Sequence, residues 1–174
     1  MENNQKKLNI DLLNASKKGH TNVVKVLIEN KADVNAKNEV GTTALMHASY
    51  RNHTDVIKIL LEKKADVNEK DFWGRTALIY ASKKRHTNVV KVLLQNGADV
   101  NMKSDYGDTA LMEASHRCHT NVVKVLLENG AYVNVKNIGG NTALIWASVY
   151  GHTDVVKMLK KAILIQHLSE IFIA

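Results

Sequence analysis

Apolar residues recur along this chain in pairs of short blocks separated by polar turns. Residues 71–103 show the pattern. Leu78, Ile79 and Ala81 form a first block. Val89, Val90, Val92, Leu93 and Leu94 form a longer, more apolar second block. The spacing within each block is that of a helix with one buried face. The first predicts a short helix over Ala77 to Lys84, with Thr76 as its N-cap. The second predicts another helix, with Thr87 as an N-cap candidate and Gly97 ending it. Asp71-Phe72-Trp73-Gly74-Arg75 reads as the preceding turn. Helices this short are marginal in isolation and need a neighbour to cover their apolar faces.

The pattern repeats every 33 residues. The phrase His20-Thr21-Asn22-Val23-Val24-Lys25-Val26-Leu27 returns nearly unchanged from His53, His86, His119 and His152. In phase with it run Thr43-Ala44-Leu45, Thr76-Ala77-Leu78, Thr109-Ala110-Leu111 and Thr142-Ala143-Leu144. A third phrase, Ala-Asp/Tyr-Val-Asn, ends at Asn35, Asn68, Asn101 and Asn134. Such self-similarity predicts a solenoid in which each unit buries itself against the next. The expected fold is all-α, a single domain of stacked helix-turn-helix units joined by β-turn loops. Residues 1–37 form an N-terminal capping unit, 38–70, 71–103 and 104–136 the internal units, and 137–174 a C-terminal unit.

The repeat length, the element order and the phrases Gly-x-Thr-Ala-Leu, x-His-Thr and Gly-Ala-Asp-Val-Asn resemble the ankyrin repeat over about residues 5–165, in five units. One departure stands out. Ankyrin units usually carry Thr-Pro-Leu-His where this chain has Thr-Ala-Leu followed by Met46, Ile79, Met112 or Ile145. Alanine is a strong helix former, and the apolar residue is expected to replace the lost histidine by packing. In the first unit, Leu8, Leu12, Leu13 and Ala15 can make one apolar stripe, as a cap requires. In the last, Ile163 replaces the helix-ending glycine. The helix is expected to run on to Ile173, with Leu164, Leu168, Ile171 and Phe172 at helical spacing and 162–173 available for capping or self-association.

Composition changes the picture in few places. Apolar content is 45%, proline is absent and the formal net charge is +7. Nine of the 24 basic residues are copied with each unit: Lys25, Lys58, Lys91, Lys124 and Lys157, and Lys37, Lys70, Lys103 and Lys136. They read as solvated framework rather than a phosphate-binding patch. No secretory signal or membrane-length apolar run is visible, so a cytoplasmic, intracellular protein is expected, delivery into a host cell as an effector included. The single Cys118 makes no internal disulfide and suits a reducing compartment. His20, His53, His86, His119 and His152 sit one per unit, too far apart to converge on a metal, and read as framework. Cys118 stands near His116 and His119, but in a turn and with no orienting third group. No catalytic, metal or cofactor residue is assigned, and no cofactor is expected.

Positions where the units disagree are those that stacking does not need. Around the turns these are Glu39, Val40 and Thr42; Phe72, Trp73 and Arg75; Asp105, Tyr106 and Asp108; and Ile138, Gly139 and Asn141. At the first-helix ends they are Tyr50 and Arg51, Lys83 and Lys84, His116 and Arg117, and Val149 and Tyr150, with Lys17 and Lys18 in the first unit. Five of the nine aromatic residues fall here. The resemblance implies that these positions line one concave surface where a partner binds. The expected activity is non-enzymatic protein binding by Tyr50, Arg51, Phe72, Trp73, Arg75, Lys83, Lys84, Asp105, Tyr106, Asp108, His116, Arg117 and Tyr150. The partner is another protein, of unknown identity, offering an acidic or extended segment. Tyr80 and Trp146, inside first helices, read as partly buried packing. Two alternatives stay open: nucleic-acid binding through a basic-aromatic groove, and self-assembly through the C-terminal helix. The resemblance also matches Asn35, Asn68, Asn101 and Asn134 to a loop asparagine that can be hydroxylated in animal-cell ankyrin proteins.

Overall fold

The computed structural model describes residues 2–173, with side-chain surroundings for residues 3–168. Ten helices follow one another: α1 (Glu2–Lys18), α2 (Thr21–Glu29), α3 (Ala44–Arg51), α4 (Thr54–Glu62), α5 (Ala77–Lys83), α6 (Thr87–Gln95), α7 (Ala110–His116), α8 (Thr120–Glu128), α9 (Ala143–Val149) and α10 (Thr153–Ile173). Among the described residues there is no strand, only an isolated antiparallel bridge between Lys37 and Thr43. The odd-numbered helices pack side by side as one layer and the even-numbered ones as a second.

The core lies between the layers. The first helices supply Leu45, Met46, Leu78, Ile79, Leu111 and Met112. The second supply Val56, Ile57 and Leu60, then Val89, Val90 and Leu93, then Val122, Val123 and Leu126. Full burial of each large side chain is worth about 1.5–3 kcal/mol, which is what holds helices too short to persist alone. Met46, Ile79 and Met112 do replace histidine by packing. Ile145 does not: it is 40% exposed, because no further first helix lies beyond α9 to cover it. On α1, Leu12, Leu13 and Ala15 are buried and Leu8 packs against the core, so the apolar stripe of this helix faces the stack.

Thr43, Thr76, Thr109 and Thr142 cap the first helices, each hydroxyl accepting from the amide three residues on at 3.2–3.4 Å. Thr87 is not the cap of α6. Arg85, at φ 64°, turns the chain one residue earlier, so His86 takes the cap position and Thr87 the first helical one. The same holds in α2, α4 and α8, where His20, His53 and His119 precede the helix with no side-chain cap. Gly97 and Gly130 follow the C-caps Asn96 and Asn129 in left-handed conformation, while Ile163 lets α10 run on.

Three ladders stitch the units. Asn35, Asn68 and Asn101 each accept, through Oδ1, the amide of residues 66, 99 and 132 of the next loop at 2.8 Å. Asn9 on α1 supplies the first rung to Asp33, and Gln166 on α10 bonds Ala131 and Val133 at the far end. The rings of His53, His86, His119 and His152 reach back to the carbonyls of Lys17, Tyr50, Ser82 and His116 at 2.9–3.1 Å. These histidines therefore tie each unit to the end of the preceding first helix. Along the turn tips the amides of Phe72, Asp105 and Ile138 donate to the carbonyls of Val40, Trp73 and Tyr106. Lys37 and Lys70 are more than solvated framework, since their ammonium groups reach the carbonyls of Lys70 and Lys103.

Beyond the stack, α10 keeps Ala162 and Ile163 against the core but leaves Leu164, Ile165 and Leu168 exposed. The side chains of Ile171 and Phe172 lie outside the described residues.

Candidate partner-binding face

Each turn is shaped by one residue at its start. Asn38, Asp71 and Asn137 fold their Oδ1 back onto the amides two and four residues on, and Ser104 Oγ accepts from the amide of Asp108. Of these only Asp71 brings a charge, and its side chain is fully buried. Arg75 meets it with Nε and Nη2 at 3.0 Å, and the Tyr80 hydroxyl donates to Oδ2 at 2.5 Å. Burial works to raise the Asp71 carboxyl. The hydrogen bonds from Tyr80, Arg75 and Trp73 outweigh it and hold it below the usual carboxylate range. Burial, with the bond to Asp71, pushes the Tyr80 phenol far up. The Arg75 guanidinium lies 4.4 Å from the centre of the Trp73 ring and 4.9 Å from that of Tyr80, so the anion, the cation and two rings form one rigid block.

The first helices add a column at one register: His47, Tyr80, Glu113 and Trp146. Glu113 and Trp146 each meet a side chain four residues on and one from the end of the preceding first helix, while Tyr80 meets only the latter and His47 lines a depression with both. Tyr80 meets Tyr50 edge-on at 5.9 Å, and Lys84 lies 4.4 Å over the Tyr50 ring. Hydrogen bonding to Lys84 lowers the Tyr50 phenol. Glu113 accepts from Lys83 at 3.4 Å and Arg117 at 2.6 Å. Trp146 packs on His116 at 5.0 Å and near Tyr150 at 6.1 Å, with His116 to Tyr150 at 4.6 Å. Burial and then Arg117 depress the His116 imidazole; burial, Lys17 and Arg51 do the same to His47. Both imidazoles are therefore neutral at pH 7.

Three shallow depressions run along this face. One of about 230 Å³ is lined by Lys17, His47, Tyr50, Arg51 and Tyr80 with Thr42 and Met46. A central one of about 300 Å³ lies between Trp73, Arg75, Lys83, Tyr106, Asp108 and Glu113. The third, about 180 Å³, holds Asp108, Glu113, His116, Arg117 and Trp146. Most of the residues expected from the sequence thus share one face. Two do other work. Phe72, though 67% exposed, presses on Gly41 of the preceding turn, where a Cβ would sit 2.6 Å from its ring. Asp105 packs likewise on Gly74 and takes part in the turn-tip ladder. Sequence reasoning passed over Glu113 and undervalued the column it belongs to. The signal was present: residues 47, 80, 113 and 146 differ in every unit while their neighbours repeat.

Among the described residues no three His, Cys, Asp or Glu side chains gather as metal ligands, and no helix is long and apolar enough to cross a membrane. A two-layer stack of helical pairs, with framework bonds between units and varied side chains along one face, defines a helical-repeat solenoid. A family model described as ankyrin repeats (3 copies) matches residues 12–104 and 98–167, and the chain belongs to the ankyrin-repeat family. Ankyrin repeats are generally protein–protein interaction modules. No curated protein matches the chain.

Proposed function

We propose that the chain is a non-enzymatic binding module that holds an extended segment of another protein along the turn tips and first-helix ends. One observation carries this reading. Most of the singled-out side chains that differ between units line a single face, where Tyr50, Trp73, Trp146 and Tyr150 are held by cations or by neighbouring rings. Rings fixed before binding lose little entropy on contact, which makes them effective anchors. The cations favour an acidic segment. An exposed thiol at Cys118 suits a reducing, intracellular setting.

The test is affinity capture with mass spectrometry, comparing the wild-type chain with a Trp73→Ala, Lys83→Ala, Tyr106→Ala variant. All three side chains line the central depression. A protein retained by the wild type and lost by the variant supports the reading; identical capture by both refutes it. A second reading rests on Leu164, Ile165 and Leu168, exposed on α10 beside an apolar groove of about 740 Å³ against α8. It makes the chain a self-assembling element, and light scattering that shows a monomer at high concentration dismisses it.

A further inference from the structure

The first-helix column repeats a three-residue geometry. Its places are the end of one first helix, the residue 30 positions later on the next, and that residue's neighbour four positions on. The fourth unit fills this set with Lys83, Glu113 and Arg117, a carboxylate held between an ammonium and a guanidinium. The fifth fills it with His116, Trp146 and Tyr150, and in the third Tyr50, Tyr80 and Lys84 hold the same places, with Lys84 over the Tyr50 ring rather than on Tyr80. In the second unit the same three places hold Lys17, His47 and Arg51. Lysine and arginine thus stand where they stand around Glu113, but the middle residue is a histidine.

The charge around this second-unit set is one-sided. Lys17, His47 and Arg51 line one depression with Tyr50 and Tyr80, and no carboxylate lines it. Among the described residues neither Lys17 nor Arg51 makes an ion pair. Asp71, bonded to Tyr80 of this lining, is consumed by Arg75 and by the Tyr80 hydroxyl. Lys17 is anchored by its own carbonyl, which binds the His53 ring, so the end of α1 is held in place.

We propose that Lys17 and Arg51 form an open clamp for a carboxylate of an acidic peptide segment, which meets the two cations beside His47 as Glu113 meets Lys83 and Arg117 two units along. This rests on the reading of the face as a protein-binding surface and adds a polarity to it. The acidic part of the partner lies toward α1. The aromatic set of His116, Trp146 and Tyr150 lies three layers away, roughly 30 Å at helix-packing distances, or about nine residues of extended chain.

The test uses a fluorescein-labelled octaglutamate amide followed by anisotropy at about 50 mM salt, where screening is modest. Five proteins are compared: the wild type, His47→Glu, Arg51→Gln, Asn88→Glu and the Trp73, Lys83, Tyr106 triple variant. His47→Glu keeps both cations and fills the clamp from within, as Glu113 does; the fold tolerates a glutamate at this register. Asn88, exposed on α6, takes the same change of charge away from the face. The expected result is binding by the wild type that falls about tenfold or more in His47→Glu and by less than about twofold in Asn88→Glu, the former being the scale of losing a charged hydrogen bond. Arg51→Gln repeats the loss without adding an acid. The clamp is overturned by equal effects of the two glutamates, by no binding to the wild type, or by an oligothymidylate of equal charge that displaces the peptide better than unlabelled octaglutamate does. Release by the triple variant with indifference to His47→Glu also overturns it, while leaving the binding face standing.

Discussion

Asp71 offers the sharpest test of how the third unit is held together. Replacing it with alanine removes the acceptor of two turn amides, of Arg75 Nε and Nη2 and of the Tyr80 hydroxyl. Breaking a buried ion pair from one side costs about 3–5 kcal/mol. Arg75 is 27% exposed and can recover some hydration, so the lower end applies, about 3 kcal/mol. In a chain of this size that is a fall in Tm of about 6–12 °C. Asp71→Asn keeps the Oδ1 acceptor, and Asn38 and Asn137 show that asparagine builds the same turn. Its expected cost is about 1–2 kcal/mol, the charge-assisted part of the network. Tyr80→Phe costs about 1–2 kcal/mol in the wild type and much less beside Asp71→Ala, since the donor has by then lost its acceptor. Urea unfolding followed by far-UV circular dichroism and by the fluorescence of Trp73 and Trp146 together measures all of these. Because the carboxyl is depressed in the folded chain, its contribution is present above the ordinary value of 3.8 and disappears as pH falls through the folded value. An Asp71→Ala protein within about 0.5 kcal/mol of wild type, or strict additivity with Tyr80→Phe, refutes the network.

Other expectations follow from the same structure. Ser49, Ser82 and Ser115 are buried with hydroxyls that find no partner, so each Ser→Ala change should raise stability by up to about 1 kcal/mol; a loss in urea titration would mean the hydroxyls are satisfied. Gly19 and Gly97 both have positive φ, but a Cβ on Gly19 would sit 2.6 Å from the His53 ring whereas one on Gly97 meets nothing. Gly97→Ala should therefore cost about 1 kcal/mol and Gly19→Ala clearly more, and equal costs would remove the His53 contact from the account. His47, His116 and His119 are all depressed, with burial the first cause. The unfolded chain takes up their protons first as pH drops below about 6.5, so melting between about pH 7.5 and 5.5 should move to lower temperature, and less so in His47→Gln. A flat profile would show that these imidazoles protonate as freely in the fold as outside it.

The stacking was legible because a period of 33 repeats in three phrases at once. Helix order and the threonine caps of the first helices followed from local rules. What escaped was what one unit does to the next. Nothing in the phrase His-Thr tells a reader that the histidine crosses to the preceding unit, or that the threonine after it is already helical. Ile145 looked like Met46, Ile79 and Met112, and differs only because the stack ends beside it. Phe72 and Asp105 were legible as variable, yet variation near a turn can serve the neighbouring turn. The column of His47, Tyr80, Glu113 and Trp146 was hidden by its place inside a helix, where variation is easily taken for packing.

The asparagine ladder bears on how such a chain can change its length. Each rung joins one loop only to the next, and both terminal rungs are made by amide side chains on helices, Asn9 at one end and Gln166 at the other. A tandem duplication of one internal unit would insert a rung that matches those on either side, and neither terminus would need to change. The seams between units are thus points at which recombination in the gene can lengthen or shorten the stack, with the same rung made at each new seam.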